Sequence, residues 1–326
     1  MNRREFLQLC GAFTLSAQVG NLVCAVDGMA TATGGTPLFS RTRLAMGTFV
    51  TITIAGASQT QAEQAAGLAF ATIERLSRVF NEFDPATPLS VLNQQGSLKD
   101  APPELTACLR LGAACHRQTG GAFDPTVKPV LDMFRRNGAD TDVSRLPLEL
   151  IGYDMVEVRK NAVTLPRSGM GLTLNGSAKG FIADRAGEAM EQCGVSNYLL
   201  DAGGDIRARG SKYTASRAMP WRVAITDPRP QKDRLAVLEL HNQCLATSGG
   251  YEVFFDREKT HHHIIDPRTG DSPRHSLGTS VVADSLTQAD ALATAAMVMV
   301  PRQAAQCLRQ ARTRAWLVEK NGVVTV

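Results

Sequence analysis

A change in apolar spacing near residue 194 constrains the fold more than any other sequence feature. Before it, apolar side chains recur at helical spacing over Ala62–Phe80, as expected for an amphipathic helix. Two more helices are predicted, one between Pro103 and Gly120 and one over Ala178–Cys193. Gly194 follows the third helix at the position where glycine commonly ends helices. These helices require an apolar surface to pack against.

After residue 194 the pattern is that of short strands separated by turns. An earlier strand, Val50–Ile54, shows the same alternation of apolar and polar residues. The later predicted strands are Tyr198–Leu200, Ile206–Arg209, Trp221–Thr226, Leu235–Leu240, Tyr251–Phe255, His262–Asp266 and Thr279–Ala283.

The C-terminal part is predicted to return to helices and then to end in a hairpin. Helices are expected at about 286–300 and 302–312, and Asn321-Gly322 is typical of a two-residue turn between Ala315–Glu319 and Val323–Val326. Helices packed on antiparallel or mixed sheets make an α+β fold.

The N-terminus has the character of an export signal. An Arg-Arg pair at positions 3 and 4 precedes Phe6 and Leu7, and an apolar stretch follows from Cys10 to Cys24. A charged start and a short apolar core are typical of such signals, and the Arg-Arg-x-Phe-Leu order resembles a twin-arginine signal. The alternatives are a membrane anchor, for which the stretch is short and interrupted, and lipidation of Cys24.

Two units are therefore expected, an export signal and linker over residues 1–30 and one domain over 31–326, with a periplasmic location. Residues 28–37 are rich in Gly, Ala and Thr and are predicted to be linker. The net charge is only +4, and no basic run alternates with aromatic residues. The sequence therefore gives no support for nucleic-acid binding.

Two glycine-rich turns are candidates for ligand contact. Leu174–Gly180 leads into the third helix, where small residues allow close backbone approach and a helix N-terminus favours phosphate. Lys179 adds a positive charge, although the spacing is not that of a P-loop. A plain strand-to-helix turn is the alternative. The acids of Asp201–Asp205 are either caps of a structural hairpin or ligands.

Two further groups of residues have spacings suited to catalysis or metal binding. On the predicted strand, His261 and His263 share one face. They could hold zinc with a ligand from elsewhere, or one of them could be catalytic or contact phosphate. Asp290 and Thr294 lie four apart on one helix face, a hard-oxygen pair suited to Mg²⁺. A capping or surface pair is the alternative.

The joint order of these motifs resembles the ApbE flavin-transferase family from about residue 43 to the end of the chain. The matching segments, in order, are Met46–Thr48, Phe83-x-Pro85, Ser90–Asn93, Gly120–Val127, Asn175–Gly180, Ala202–Asp205, Thr247–Gly249, His263–Gly270 and Ala289–Ala295.

The resemblance implies an FAD:protein FMN transferase. In such an enzyme Mg²⁺ assists cleavage of FAD, FMN is attached to a threonine or serine of a target flavoprotein in the periplasm or membrane, and AMP is released. The implied catalytic residues are His263 and Asp290. The chemistry adds the hypothesis that His263 is a base that takes the proton of the target hydroxyl. The implied metal ligands are the carbonyl of Gly176 and the side chains of Asp290 and Thr294. The implied FAD-contacting residues are Met46, Phe83, Ala122, Phe123, Asp124, Thr173, Lys179 and Ile264.

Three positions depart from the family pattern. Phe83 stands where the family often has tyrosine, Thr173 where aspartate is common, and Asn175 where glycine is common. They resemble the variant that accompanies nitrous-oxide respiration. Two other functions remain open at this point: an FAD pyrophosphatase, with water as acceptor, and a non-catalytic periplasmic flavin carrier.

Overall fold

The centre of the fold is an antiparallel sheet whose strands come from both ends of the chain. The computed structural model describes residues 28–31, 37–214 and 217–326. The sheet contains, in spatial order, β1 (Gly28–Thr31), β2 (Pro37–Ala45), β3 (Thr48–Ala55), β7 (Tyr198–Ala202), β8 (Ile206–Arg209), β13 (Cys244–Gly249), β14 (Gly278–Ala283), β15 (Arg314–Val318) and β16 (Val323–Thr325).

Smaller sheets flank it. They are formed by β4 (Ser97–Lys99) with β6 (Ala162–Thr164) and β5 (Glu157–Val158), by β9 (Lys212–Thr214) with β10 (Arg217–Met219), and by β11 (Trp221–Thr226) with β12 (Arg234–Leu240). The helices are α1 (Gln59–Phe80), α2 (Pro88–Gln95), α3 (Pro103–Gln118), α4 (Lys128–Asn137), α5 (Ala178–Gln192), α6 (Leu286–Val298) and α7 (Pro301–Gln310).

Because side chains alternate between the two faces of the central sheet, each face borders a different apolar core. Val50, Ile52 and Ile54 of β3 are at most 1% exposed and pack in one core with α1 and α5. On the opposite face of the sheet, Leu245 of β13 and Val282 of β14 pack against the β11–β12 hairpin. The sheet therefore lies between a helical layer and a hairpin, which confirms the predicted α+β class.

Most predicted elements are confirmed, with three groups of differences. The segments 251–255 and 262–266 are not strands, and only an isolated bridge joins Phe254 to His262. Turns and side chains take up their hydrogen bonds instead; for example, the Asp256 carboxylate accepts from the N–H groups of Thr260 and His261. Helices α2 and α4 and strands β2, β4, β5, β6, β9, β10 and β13 were not predicted. Part of the predicted linker, residues 28–31, forms β1.

The predicted export signal lies outside the described residues apart from its last positions. The proposed boundary at residue 30 falls within β1, which pairs with β2, so export and the boundary remain predictions. Among the residues that the structure describes, no helix has the length and apolarity needed to cross a bilayer.

A matched pair of glycines tests the contact between α5 and α6. A Cβ at Gly180 of α5 would lie 2.5 Å from the carbonyl oxygen of Leu286, whereas one at Gly67 of α1 would meet nothing within 4 Å. We expect Gly180→Ala to reduce the free energy of unfolding by about 1–3 kcal/mol through overpacking. Gly67→Ala should raise it by about 0.5–1 kcal/mol, because the unfolded chain loses conformational freedom. Urea unfolding measures both, and equal stability of the two variants would contradict the close contact.

Candidate active site

The glycine loop before α5 is pressed against helix α6. A Cβ at Gly176 would lie 2.8 Å from Oγ1 of Thr294, so only glycine lets the backbone pass there. One turn further along, the N–H of Gly180 donates to Oδ2 of Asp290 at 3.0 Å. Oγ1 of Thr294 lies 3.2 Å from Oγ of Ser248, near the end of β13. The structure therefore brings Gly176, Asp290 and Thr294, the residues of the predicted metal site, to one junction between the loop and α6.

Asp290 is 5% exposed. Burial, followed by the negative charge of Asp205, raises the pKa of the Asp290 carboxyl, while Lys179 and the Gly180 N–H oppose the rise. The exposed Glu252 adds further negative charge. Carboxylates thus outnumber the single nearby lysine, so the cluster would gain from a cation.

Lys179 joins this cluster through the β7–β8 turn. Its Nζ lies 2.8 Å from Oδ2 of Asp205, which is 2% exposed and whose Oδ1 accepts from the N–H of Thr247. Burial alone would lower the pKa of Lys179, but the charges of Asp205 and Asp290 raise it above its usual range. Lys179 is therefore a permanent cation. Sequence reasoning identified the Asp201–Asp205 turn but did not select Asp205 as its partner.

The residues present fit a small, hard cation. They offer one carboxylate, one hydroxyl and a glycine backbone beside them, which is the oxygen chemistry that Mg²⁺ prefers. The close approach at Gly176 and the excess negative charge around Asp290 are independent signs of the same fit. Among the described residues, no three side chains of His, Cys, Asp or Glu form a metal-binding group.

The three histidines do not share a strand as predicted. Nδ1 of His261 lies 2.9 Å from Oδ1 of Asp271, and Nε2 of His262 lies 2.9 Å from the carbonyl oxygen of Pro273. Because 262–266 is irregular, the proposed common face of His261 and His263 does not exist. A zinc site built on that face therefore loses its basis.

His263 has the properties of a neutral base. Burial, followed by the charge of His262, lowers its pKa to about 4, and Arg135 and Lys179 act in the same direction. Its Nδ1 is buried without a hydrogen-bond partner in the described part of the chain. An imidazole that is neutral at pH 7 and has an unused ring nitrogen can accept a proton.

Met46 and Phe83 offer apolar surface at turns. Met46 and Gly47 form the two-residue turn between β2 and β3, with φ of 51° and 75°. Phe83 is 54% exposed, and the Arg135 guanidinium lies 5.3 Å from the centre of its ring. An exposed aromatic face of this kind suits stacking against a planar ring.

The segment Ala122–Asp124 is rigidly held after α3. Oδ2 of Asp124 accepts from the N–H of Tyr153 at 3.1 Å, and Oδ1 accepts from the N–H of Thr126 at 2.8 Å. Both carboxylate oxygens are thus used inside the protein, and burial raises the pKa of the group. Any ligand contact from this segment would come from its backbone or from its neighbours.

Two other predicted residues border the same region. Ile264 is buried in one core cluster with Ala122 and Phe123. Thr173 is 8% exposed and donates its backbone N–H to the carbonyl of Pro125 at 2.9 Å, which joins the glycine loop to the segment after α3. Sequence reasoning missed Glu82, beside Phe83, which accepts a hydrogen bond from the Thr173 hydroxyl. No motif in the sequence marks it.

The chain is similar to proteins of one known family. Residues 46–317 match the sequence profile of the ApbE family. A protein named FAD:protein FMN transferase from Treponema pallidum is 30% identical over 320 residues, covering 90% of this chain and 88% of that protein. One of the same name from Klebsiella pneumoniae is 26% identical over 297 residues, covering 85% and 83%.

A solved structure shares the fold along nearly its whole length. The crystal structure of the ApbE protein from Thermotoga maritima has a TM-score of 0.77 and 26% identity, and the match covers 88% of this chain and 96% of that one. Because the family profile spans most of the sequence and the Treponema relative aligns over 90% of it, this chain belongs to the ApbE family.

Proposed function

We propose that this protein is an FAD:protein FMN transferase, which cleaves FAD and attaches FMN to a threonine or serine of a target flavoprotein. The observation that carries the proposal is the junction of the glycine loop with α6, where Gly176, Asp290 and Thr294 meet beside Lys179. The names of the relatives supply the donor and the class of acceptor.

The reaction exchanges the phosphoanhydride bond of FAD for a phosphoester bond to the target protein. The target hydroxyl oxygen forms a bond to the phosphorus on the FMN side, the bond between that phosphorus and the AMP oxygen breaks, and AMP leaves with the electron pair. Gly176, Asp290 and Thr294 would hold Mg²⁺, which when bound supplies neutralisation of the diphosphate charge. Lys179 adds a fixed positive charge to the same site.

His263 receives the proton of the attacking hydroxyl at a ring nitrogen. Its lowered pKa keeps the imidazole neutral, and so able to accept, throughout the neutral range. The exposed ring of Phe83 and the Met46 turn provide apolar surface for the flavin. The acceptor is a flavoprotein in the periplasm or membrane, and this chain reaches it through the twin-arginine-like leader.

The Asp290 site predicts metal-dependent cleavage. Asp290→Asn should lower FMN transfer by about 100-fold or more, because a neutral amide does not replace a carboxylate beside the diphosphate. Asp284→Asn, which removes an exposed acid just before α6, is the matched control and should keep full activity. Mass spectrometry of a candidate target after incubation with FAD and Mg²⁺ measures the adduct. Free FMN and AMP without labelled protein from the unsubstituted enzyme would indicate a pyrophosphatase.

His263 predicts an unusual pH profile. At saturating Mg²⁺ and FAD, the transfer rate should change by no more than about twofold between roughly pH 7.5 and 5.5, since an imidazole with a pKa of about 4 stays neutral there. His263→Asn should lower the rate by about 100-fold, whereas His241→Asn, exposed after β12, should not. A rate that falls with a midpoint near the usual histidine pKa would contradict the proposed base.

The leader predicts export that depends on its arginine pair. Changing Arg3 and Arg4 together to lysine should keep the protein in the cytoplasm, because twin-arginine signals are read by a receptor and not only by charge. Cell fractionation with immunodetection measures the distribution. Arg75→Lys, on the exposed side of α1, is the control. If the same amount of the double variant is found in the periplasm, export does not use the twin-arginine route.

A further inference from the structure

Glu82 is a buried carboxylate that the reaction above does not use. Its side chain is 1% exposed. Its Oε1 accepts hydrogen bonds from Arg135 at 3.1 Å, from Oγ1 of Thr173 at 3.2 Å and from Nδ2 of Asn175 at 3.0 Å. Its Oε2 lies 3.4 Å from Nζ of Lys128 and makes no hydrogen bond within the described residues.

The charges around Glu82 balance within one small cluster. Lys128 and Arg135 also contact Asp132, at 2.9 Å and 3.2 Å. Two cations thus serve two carboxylates, which makes an ionised Glu82 tolerable in its buried position. Of these two carboxylates, only that of Glu82 contacts the glycine loop.

These contacts fix the direction of two hydrogen bonds in the loop. The Thr173 hydroxyl donates its only proton to Glu82, so the lone pairs of its oxygen remain available as acceptors. The Asn175 amide turns its NH₂ towards Glu82, so its carbonyl oxygen faces away from that carboxylate. Both side chains flank the segment that leads to Gly176.

The resulting surface favours ligand groups that carry protons. A phosphate oxygen is itself an acceptor and gains nothing from it, whereas a sugar hydroxyl or a ring N–H can donate to it. The same carboxylate holds Arg135, whose guanidinium lies over the exposed Phe83 ring. Glu82 therefore acts on the loop and on the aromatic face together.

We propose that Glu82 is a positioning residue for substrate binding, which orients Thr173 and Asn175 so that they accept hydrogen bonds from the hydroxyl or N–H groups of the flavin nucleotide. The proposal rests on the proposed function, because the nucleotide is its donor substrate. It makes the specificity of this part of the site depend on a residue that belongs to a different segment of the chain.

Glu82→Gln tests the proposal, with Asp132→Asn as matched control. The glutamine can turn its NH₂ towards Thr173 and Asn175, so both lose their acceptor and reorient. We expect the dissociation constant for FAD, measured by flavin fluorescence in EDTA, to rise about tenfold, and kcat at saturating FAD to stay within about twofold. Asp132→Asn shares the same cations but leaves the loop contacts intact, so FAD affinity should hold. Equal losses in the two variants would reduce Glu82 to a charge-balancing role and overturn the proposal.

A double-substitution cycle shows whether Glu82 acts through Thr173. If it does, Glu82→Gln should weaken FAD binding much less in a Thr173→Val background than in the unsubstituted protein. Independent, multiplying effects would overturn the proposal.

Two other variants test the proposal if Glu82→Gln fails to fold. Thr173→Val and Asn175→Ala should each bind FAD at least about threefold more weakly. Unchanged FAD affinity in both variants would overturn the proposal. Binding without metal separates this result from transfer, so tight FAD binding by an inactive enzyme would contradict only the proposed function.

Discussion

The contact between the glycine loop and helix α6 is the constraint on which the site depends. Gly176 and Gly180 lie where any side chain would collide with Thr294 or with the Leu286 carbonyl. The loop backbone can therefore approach the carboxylate of Asp290 and donate to it directly. A helix start, a buried carboxylate and a lysine are thereby held together by packing, because glycine has no Cβ.

Charge is distributed unevenly around that contact. Asp205 and Asp290 are both buried, and Lys179 is the cation paired with them. Burying two carboxylates beside one lysine costs free energy. Binding of a cation together with a polyphosphate offsets this cost, because the charge of the cation compensates the negative charge of both. On the other side of the glycine loop, Glu82 lies with Lys128, Arg135 and Asp132 in a cluster whose charges balance. The two sides thus suit the charged and the uncharged parts of one ligand.

Sequence reasoning succeeded where one interaction dominates and failed where several compete. The amphipathic spacing of α1 and the terminal hairpin were predictable because local apolar pattern determines them. The segments 251–255 and 262–266 were wrongly predicted as strands, because side chains such as that of Asp256 take the backbone hydrogen bonds that a strand would need. Asp290 and Thr294 were found through helical spacing and family motifs, whereas Glu82 is recognisable only from contacts with residues about 90 positions away.

The order of strands in the central sheet has a consequence for synthesis of the protein. Strand β3, near the start of the domain, pairs with β7, where Val50 lies opposite Ala202. Strands β14 and β15 then complete the sheet from the last fifty residues. Until the last fifty residues have been made, β13 lacks the strand β14 that pairs with it. The emerging polypeptide therefore keeps an exposed strand edge for most of its synthesis. Synthesis of the C-terminal hairpin therefore supplies the last strands of the central sheet, and β1 and β16 are its two edges in the finished domain.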